Sequence, residues 1–312
     1  FEMMGNWSLG DYFKKEQLEW FFDFLTNKEL GLGLDPKKIF VSIFDGDKRF
    51  KVISSSGLFE TLKPDIESLS VWRNIFTGQR IEATTANINT NKLPDIANGR
   101  IFYYGPEKNW WTRASSIKDM PPGEPGGPDS EVFYDFGPAY KLHEQSKFQS
   151  LPCHPNCDCG RFLEIGNNVF MQYRKNEDST FFPLPKQNVD FGGGLERLMM
   201  AVEDNPDMFE TSLYQPIIKE IEKITKQTYF KDENKPAMRI IADHLKASVF
   251  LIKDGVLPSN KEQGYVLRRL LRRLTIKLRK LLGTLPSAIE VAQISKVVLE
   301  MYDGVYFETE KD

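Results

Sequence analysis

The sequence predicts an α+β domain followed by an all-helical one. Three observations carry this: strand-like runs occur only in the first two thirds, one such run enters three consecutive glycines and then a helix (Val189 to Met200), and only helical periodicity remains beyond about residue 205. A chain of 312 residues suits about two domains, placed here at residues 1–205 and 206–312.

Within the first part, Leu18, Phe21, Phe22 and Leu25 stand at i, i+3, i+4 and i+7, one apolar helix face that the Gly-rich ELGLGLDP ends. IFVSIF (Ile39 to Phe44), stopped by Asp45-Gly46, reads as a strand. So do VFYDFG from Val132, FLEIGNNVFMQYR from Phe162 and NVDFGG from Asn188. Their irregular spacing predicts an antiparallel or mixed sheet. DMPPGEPGGPD (Asp119 to Asp129), with four Pro and three Gly, reads as a stiff irregular loop. In the second part, Pro216 opens a helix carrying Ile217, Ile218, Ile221 and Ile224, and helices follow at about 238–253, 259–283 and 287–302.

The composition, 40% hydrophobic and 27% charged, is that of a soluble globular protein. Lys plus Arg number 41 against 44 Asp plus Glu, so the net charge of −3 demands neither nucleic acid nor acidic membrane, and any basic surface is local. Cys153, Cys157 and Cys159 exclude a disulfide framework and predict a reduced compartment with a metal knuckle. No apolar run approaches the ~20 residues of a membrane span, and the first residues lack a signal peptide; the expectation is a cytoplasmic protein with no membrane partner. The chain begins with Phe1 rather than Met, which reads as part of a longer protein.

The sharpest motif is Val189-Asp190-Phe191-Gly192-Gly193-Gly194-Leu195-Glu196-Arg197-Leu198. Three glycines let backbone approach a flat ligand, and a helix starting just after them points N–H groups and a first-turn Arg toward negative charge. A Gly-rich strand-to-helix turn with a surface Arg is the competing structural reading. No G-x-x-x-x-G-K-[ST] phosphate loop is present.

Set beside FEMMGNWSLGDYF (Phe1 to Phe13), RFLEIGNNVFMQY (Arg161 to Tyr173), IADHLKASVFLIKDGVLPSNKEQGYVLRRLLRR (Ile241 to Arg273), NWW (Asn109 to Trp111) and GGPDSEVFYD (Gly126 to Asp135), this motif makes the whole chain resemble the alanyl-tRNA synthetases. The resemblance implies a class II synthetase antiparallel sheet flanked by helices, followed by an all-helical tRNA-recognition domain. VDFGGGLERL resembles the third class II motif and FEMMGNWS the closing strand of the second. The first motif and the Arg of the second would lie upstream of Phe1, in a missing N-terminal segment or a partner chain.

By that resemblance, ATP binds along Phe1, Glu2, Met3, Gly192 and Gly194, with Arg197 stacking on adenine and pairing with phosphate. Asp190 holds the α-ammonium of L-alanine, with Gly166 and Gly192 lining the pocket, and Asp190 and Arg197 are the catalytic residues. Mg²⁺ is the expected cofactor. Related sequences show E-I-W-N where Glu164-Ile165-Gly166-Asn167 stands here, so the reading expects a wider pocket and weaker discrimination against serine, unless Met171, Trp110 or Trp111 fills the space.

Three thiolates and an imidazole complete a tetrahedral Zn²⁺ site, here Cys153, His154, Cys157 and Cys159, with Asp158 or a distant residue as the alternative fourth ligand and unligated buried thiols as the alternative to a metal. Seven cations within thirteen residues, Arg268, Arg269, Arg272, Arg273, Lys277, Arg279 and Lys280, form a local basic helix face. A solvated face is the simpler account. The resemblance makes it a tRNA surface, with Asn260 reading the acceptor stem of tRNA(Ala) near its G·U pair and Arg268, Arg269, Arg272 and Arg273 holding phosphates. The function expected is an alanine–tRNA ligase, and the alternative is a non-catalytic tRNA-binding fragment or subunit that needs a separate N-terminal part.

Overall fold

In the computed structural model, which describes residues 1–53, 57–87 and 99–308, the chain forms two units, Glu2–Pro206 and Asp207–Asp312. The first is built on a sheet of strands β1 (Met3–Leu9), β2 (Ile39–Phe44), β3 (Asp47–Ile53), β4 (Phe59–Leu62), β5 (Thr85–Asn87), β6 (Ile101–Tyr104), β7 (Trp110–Trp111), β8 (Pro125–Asp135), β9 (Phe162–Lys175) and β10 (Phe181–Gly194). They run in the order β4-β3-β10-β9-β8-β2-β6-β5, with β1 on β10 and β7 on β8.

The sheet is mixed rather than antiparallel throughout. β8, β9, β10 and β1 pair antiparallel, but β6 lies parallel to β2 and β5, and β3 touches β10 in parallel. The long stretch from β2 to β6 lets the chain cross over and return in the same direction, which a short hairpin cannot do.

The Pro- and Gly-rich stretch is a loop only in its first half, because Pro125 to Asp129 open β8. A Cβ on Gly127 would stand 2.0 Å from the Phe170 carbonyl oxygen, so glycine is what lets β8 lie against β9. Pro128 falls where the β8–β9 register shifts, between Gly126 and Asp129.

Helix α1 (Lys14–Thr26) buries its predicted face, Leu18, Phe21, Phe22 and Leu25. Phe22 meets Trp72 and Phe76 of α2 (Ile66–Gly78) edge-on; each such side chain contributes about 1.5–3 kcal/mol by leaving water. Short α3 (Pro106–Asn109) precedes β7, and α4 (Leu195–Val202) follows β10 directly.

The second unit consists of α5 (Gln215–Thr225), α6 (Lys235–Lys253), α7 (Glu262–Leu282) and α8 (Ala288–Met301). Ile217, Ile218, Ile221, Ile241, Leu274, Leu278, Ile294 and Val298 make its core. Helix α7 starts three residues later than the sequence predicts, because the Ser259 N–H donates to the Gly264 carbonyl at 3.0 Å and holds Leu257 to Asn260 as a strap across the helix start. Among the described residues, no helix is long and apolar enough to cross a membrane.

Candidate active site and metal centre

Strand register decides which side chains share a face, because directly opposed residues point the same way. Asp190 opposes Val169 and Trp7, Gly192 opposes Asn167 and Gly5, and Gly194 opposes Met3. Val169 and Asn167 in turn oppose Asp129 and Glu131 of β8. One face therefore collects Asp190, Asn167, Asp129, Glu131 and Trp7 around the glycine pair Gly5–Gly192. The intervening residues face α1 and α2: the Asn168 amide oxygen accepts from Gln17 Nε2 at 3.0 Å, and Trp72 Nε1 donates to Ser130 Oγ at 2.8 Å.

Glu164 reaches the first face through a break in the ladder. Val132 opposes Gly166 but Phe133 opposes Glu164, which leaves Ile165 as the extra residue of a bulge and turns Glu164 over. Its carboxylate accepts from Arg197 Nη1 at 2.8 Å, and its carbonyl accepts from the same nitrogen at 3.1 Å. Arg197, in the first turn of α4, is thus held at the sheet face yet stays exposed.

Two of the gathered carboxyls, Asp129 and Glu131, hold their protons more tightly than usual. Burial and the nearby Glu164 charge push Glu131 up to about 7, and burial with Glu131 raises Asp129 well above the ordinary range. Glu131 Oε2 accepts from Ser42 Oγ at 3.1 Å and from Asn156 Nδ2 at 3.2 Å, while Asn109 Nδ2 donates to Asp129 Oδ1 at 2.9 Å. Asn167 donates to Asp129, but its Oδ1 is buried and accepts from nothing. A buried acceptor left open costs ~1–3 kcal/mol and suits a site that a donor from outside completes.

Glu2 is fixed by its backbone: its N–H donates to the Glu196 carboxylate at 3.0 Å and its carbonyl accepts from Leu195 N at 2.9 Å. Phe1 stands ahead of β1 and is 83% exposed. A Cβ on Gly192 would lie 3.0 Å from Met3 Sδ, whereas one on Gly194 would make ordinary contact with Arg197. A cleft of about 740 Å³ lined by Lys14, Asp65, Pro128 and Gln172 includes none of these residues, and the Lys14 ammonium in it is taken by Asp65 at 2.7 Å.

Gly166 does not widen this face. It points the other way, and a Cβ there would stand 2.5 Å from Phe21 Cζ and 3.0 Å from Phe191 Cε2. The space is filled by α1, not by Met171 or Trp110, and Trp110 packs with Phe44, Tyr173 and Phe181.

The three cysteines meet His143 rather than His154. The ligand atoms of His143, Cys153, Cys157 and Cys159 all lie within 4.8 Å of one another, with Sγ of Cys153 and Cys159 3.7 Å apart and Cys157 Sγ 3.7 Å from His143 Nδ1. Tetrahedral bonds of about 2.0–2.3 Å put neighbouring ligand atoms about 3.5–3.8 Å apart, so the residues fit a zinc ion. His143 Nε2 bonds the Leu151 carbonyl at 2.9 Å, which leaves Nδ1 for a metal. His154 is withheld because its Nδ1 pairs with the Tyr104 hydroxyl at 2.8 Å. Burial and the adjacent Cys159 push the Cys153 thiol up when no ion is bound.

On α7, Arg268, Arg269, Arg272 and Arg273 are all exposed, opposite the buried stripe Leu267, Leu274, Leu278 and Leu281. Asn260 lies in the strap ahead of the helix, where its Oδ1 accepts from Arg268 Nη1.

The family model described as tRNA synthetases class II (A) matches residues 1–312. The chain belongs to the class II (A) tRNA synthetases. Its relatives include the alanine–tRNA ligase of Borrelia hermsii (strain HS1 / DAH), 37% identical over 315 residues, covering 100% of this chain and 45% of that protein. The alanine–tRNA ligase of Treponema denticola is 37% identical over 97% of this chain and 44% of its own length, and that of Petrotoga mobilis 32% identical over 99% and 32%. The chain spans less than half the length of these relatives.

In this class II synthetase the sequence reading passed over Asn167, Asp129, Glu131, Trp7 and His143. Strand alternation from Asp190 carries the signal for Asn167 and Trp7, since each stands across from the Asp190–Gly192 segment. His143 carries none, because it stands ten residues before Cys153 in a stretch of turns.

Proposed function

We propose that the chain is the aminoacylation core of an alanine–tRNA ligase, with residues 1–205 forming alanyl-adenylate from L-alanine and ATP and residues 206–312 holding the acceptor stem of tRNA(Ala). The observation that carries the reading is the open Asn167 Oδ1 on the same sheet face as Asp190. Two acceptors, one of them charged, suit the three N–H donors of an α-ammonium. The Gly5–Gly192 pair adds no side chain of its own beside them, Met3 Sδ lies over Gly192, and Trp7 stands across from Asp190 as an apolar wall.

With its ammonium held, alanine attacks the α-phosphorus of ATP through its carboxylate. A C–O–P linkage forms, the bond to pyrophosphate breaks, and the electron pair leaves on pyrophosphate. Arg197 stacks on adenine and pairs with phosphate oxygens, and its ion pair with Glu164 holds the guanidinium ready. Glu131 and Glu164 would hold Mg²⁺ as hard oxygen donors, and the ion would supply charge neutralisation at the polyphosphate. A terminal ribose hydroxyl of the tRNA then takes the alanyl group and AMP departs. On α7, Asn260 would read the stem while Arg268, Arg269, Arg272 and Arg273 bind phosphates. Zinc would sit as a structural centre on His143, Cys153, Cys157 and Cys159.

The test is ATP–pyrophosphate exchange with alanine, serine and glycine in parallel. Exchange that is strongest with alanine supports the reading. Exchange with another amino acid instead, or none from the folded full-length protein, overturns it; none from this chain with recovery on adding an upstream segment would assign the chain to a binding half.

A further inference from the structure

The metal knuckle touches the proposed reactive face through one side chain. Asn156 sits in the turn that the Cys157 N–H closes on the His154 carbonyl at 2.8 Å, with Cys153 and Cys157 at its shoulders. From there its Nδ2 donates to Glu131 Oε2 at 3.2 Å and its backbone N–H donates to the Tyr104 hydroxyl at 3.2 Å. The Tyr104 hydroxyl also pairs with His154, so ties at His154 and Asn156 fix this turn against β6, and the Asn156 amide fixes it against β8. Cys153 and Cys157 pack on Tyr104, Phe133 and Phe162, and Phe133 is the next residue after Glu131 on its face of β8.

We propose that Asn156 is a positioning residue for alanine activation: an ion on His143, Cys153, Cys157 and Cys159 sets the knuckle, and the knuckle holds the Glu131 carboxyl on the reactive face through the Asn156 amide. This inference rests on the Asp190 face being the site of adenylate formation. The physical reason is stiffness. A seven-residue loop with three free thiols has many conformations, whereas one whose ends and middle are joined at a single tetrahedral ion has few. A side chain between two of the ligands is then aimed as firmly as the ligands themselves. A knuckle serving only as a surface staple would have no need of a polar side chain reaching a carboxyl of the sheet.

The experiment uses the full-length protein with Asn156→Ala, Cys159→Ser and both together. Zinc content is measured by mass spectrometry, backbone amide hydrogen exchange is followed over β8, and alanine-dependent pyrophosphate exchange is assayed. Asn156→Ala is expected to keep its zinc, to lose protection around Glu131, and to drop kcat about tenfold, the lower end for removing a hydrogen-bond partner that orients a ligating carboxylate, with KM for alanine little changed. Cys159→Ser is expected to lose the zinc and show the same loss in β8, and the double variant to be no worse than Cys159→Ser alone. Zinc lost from Cys159→Ser with β8 protection and kcat intact, or Asn156→Ala behaving as wild type, overturns the proposal. Should wild type not exchange pyrophosphate with alanine, the functional reading fails on its own, and the β8 protection pattern alone decides whether the metal holds Glu131.

Discussion

The Phe21 ring fills the place that a side chain at Gly166 would take, with Cζ 2.5 Å from the position of a Cβ. Residue 166 is therefore tied to packing between α1 and the sheet rather than to the Asp190 face. Gly166→Trp is expected to destabilise the fold by about 3 kcal/mol or more through overpacking, and adding Phe21→Ala to recover part of it, read from urea midpoints. Gly166→Ala should cost less and leave the ratio of alanine to serine exchange unchanged.

Glu131 predicts a pH dependence of stability. Its carboxyl keeps its proton up to about 7 in the folded chain, against an ordinary value of 4.5. Between those values the unfolded chain binds fewer protons than the folded one, so stability falls as pH rises through that window. Asp129, Glu164 and Lys108 face the same carboxyl, and Ser42 and Asn156 bond it. Glu131→Gln should flatten the slope between about pH 4.5 and 7 in denaturant titrations; an unchanged slope would place the effect elsewhere.

The metal centre separates two histidines. His143→Ala should remove zinc binding, and chelation of the wild-type protein should lower its melting temperature. His154→Ala should retain the metal and lose only the Tyr104 contact. Metal analysis of the two variants checks this directly.

On α7, a Cβ at Gly264 would stand 2.3 Å from Ser259 Oγ and 2.5 Å from the Leu257 carbonyl, so Gly264→Ala pushes away the strap that carries Asn260. Binding of tRNA(Ala) should weaken about tenfold, within the range of losing one specific contact, with alanine exchange unaffected. Arg272→Ala should weaken binding and lower its salt dependence.

What was legible in the sequence follows from how local the signal is. β2 and β9 announce themselves by apolar runs of strand length, and α1 by its 3.6-residue stripe, because those patterns are set by the face each element buries. Pro125 to Asp129 hid inside a breaker-rich stretch, since glycine there answers to the Phe170 carbonyl, a contact 43 positions away in the chain. The side that Glu164 faces was hidden by the bulge at Ile165, which reverses an alternation that sequence alone would continue. Asp190 and Arg197 stood out through the glycine motif. Asn167 did not, because an unpaired carbonyl oxygen is a property of its surroundings, and His143 joins the cysteines only through the fold of the turns between them.

The most direct test of the central claim is alanine-dependent ATP–pyrophosphate exchange by the full-length protein, wild type against Asn167→Leu and Asp190→Asn. Losing a hydrogen bond to a charged group costs about 1.5–3 kcal/mol, so KM for alanine should rise about 10- to 100-fold in each variant while KM for ATP stays near wild type. Wild-type alanine kinetics in Asn167→Leu and Asp190→Asn would contradict the assignment of this sheet face to the amino acid.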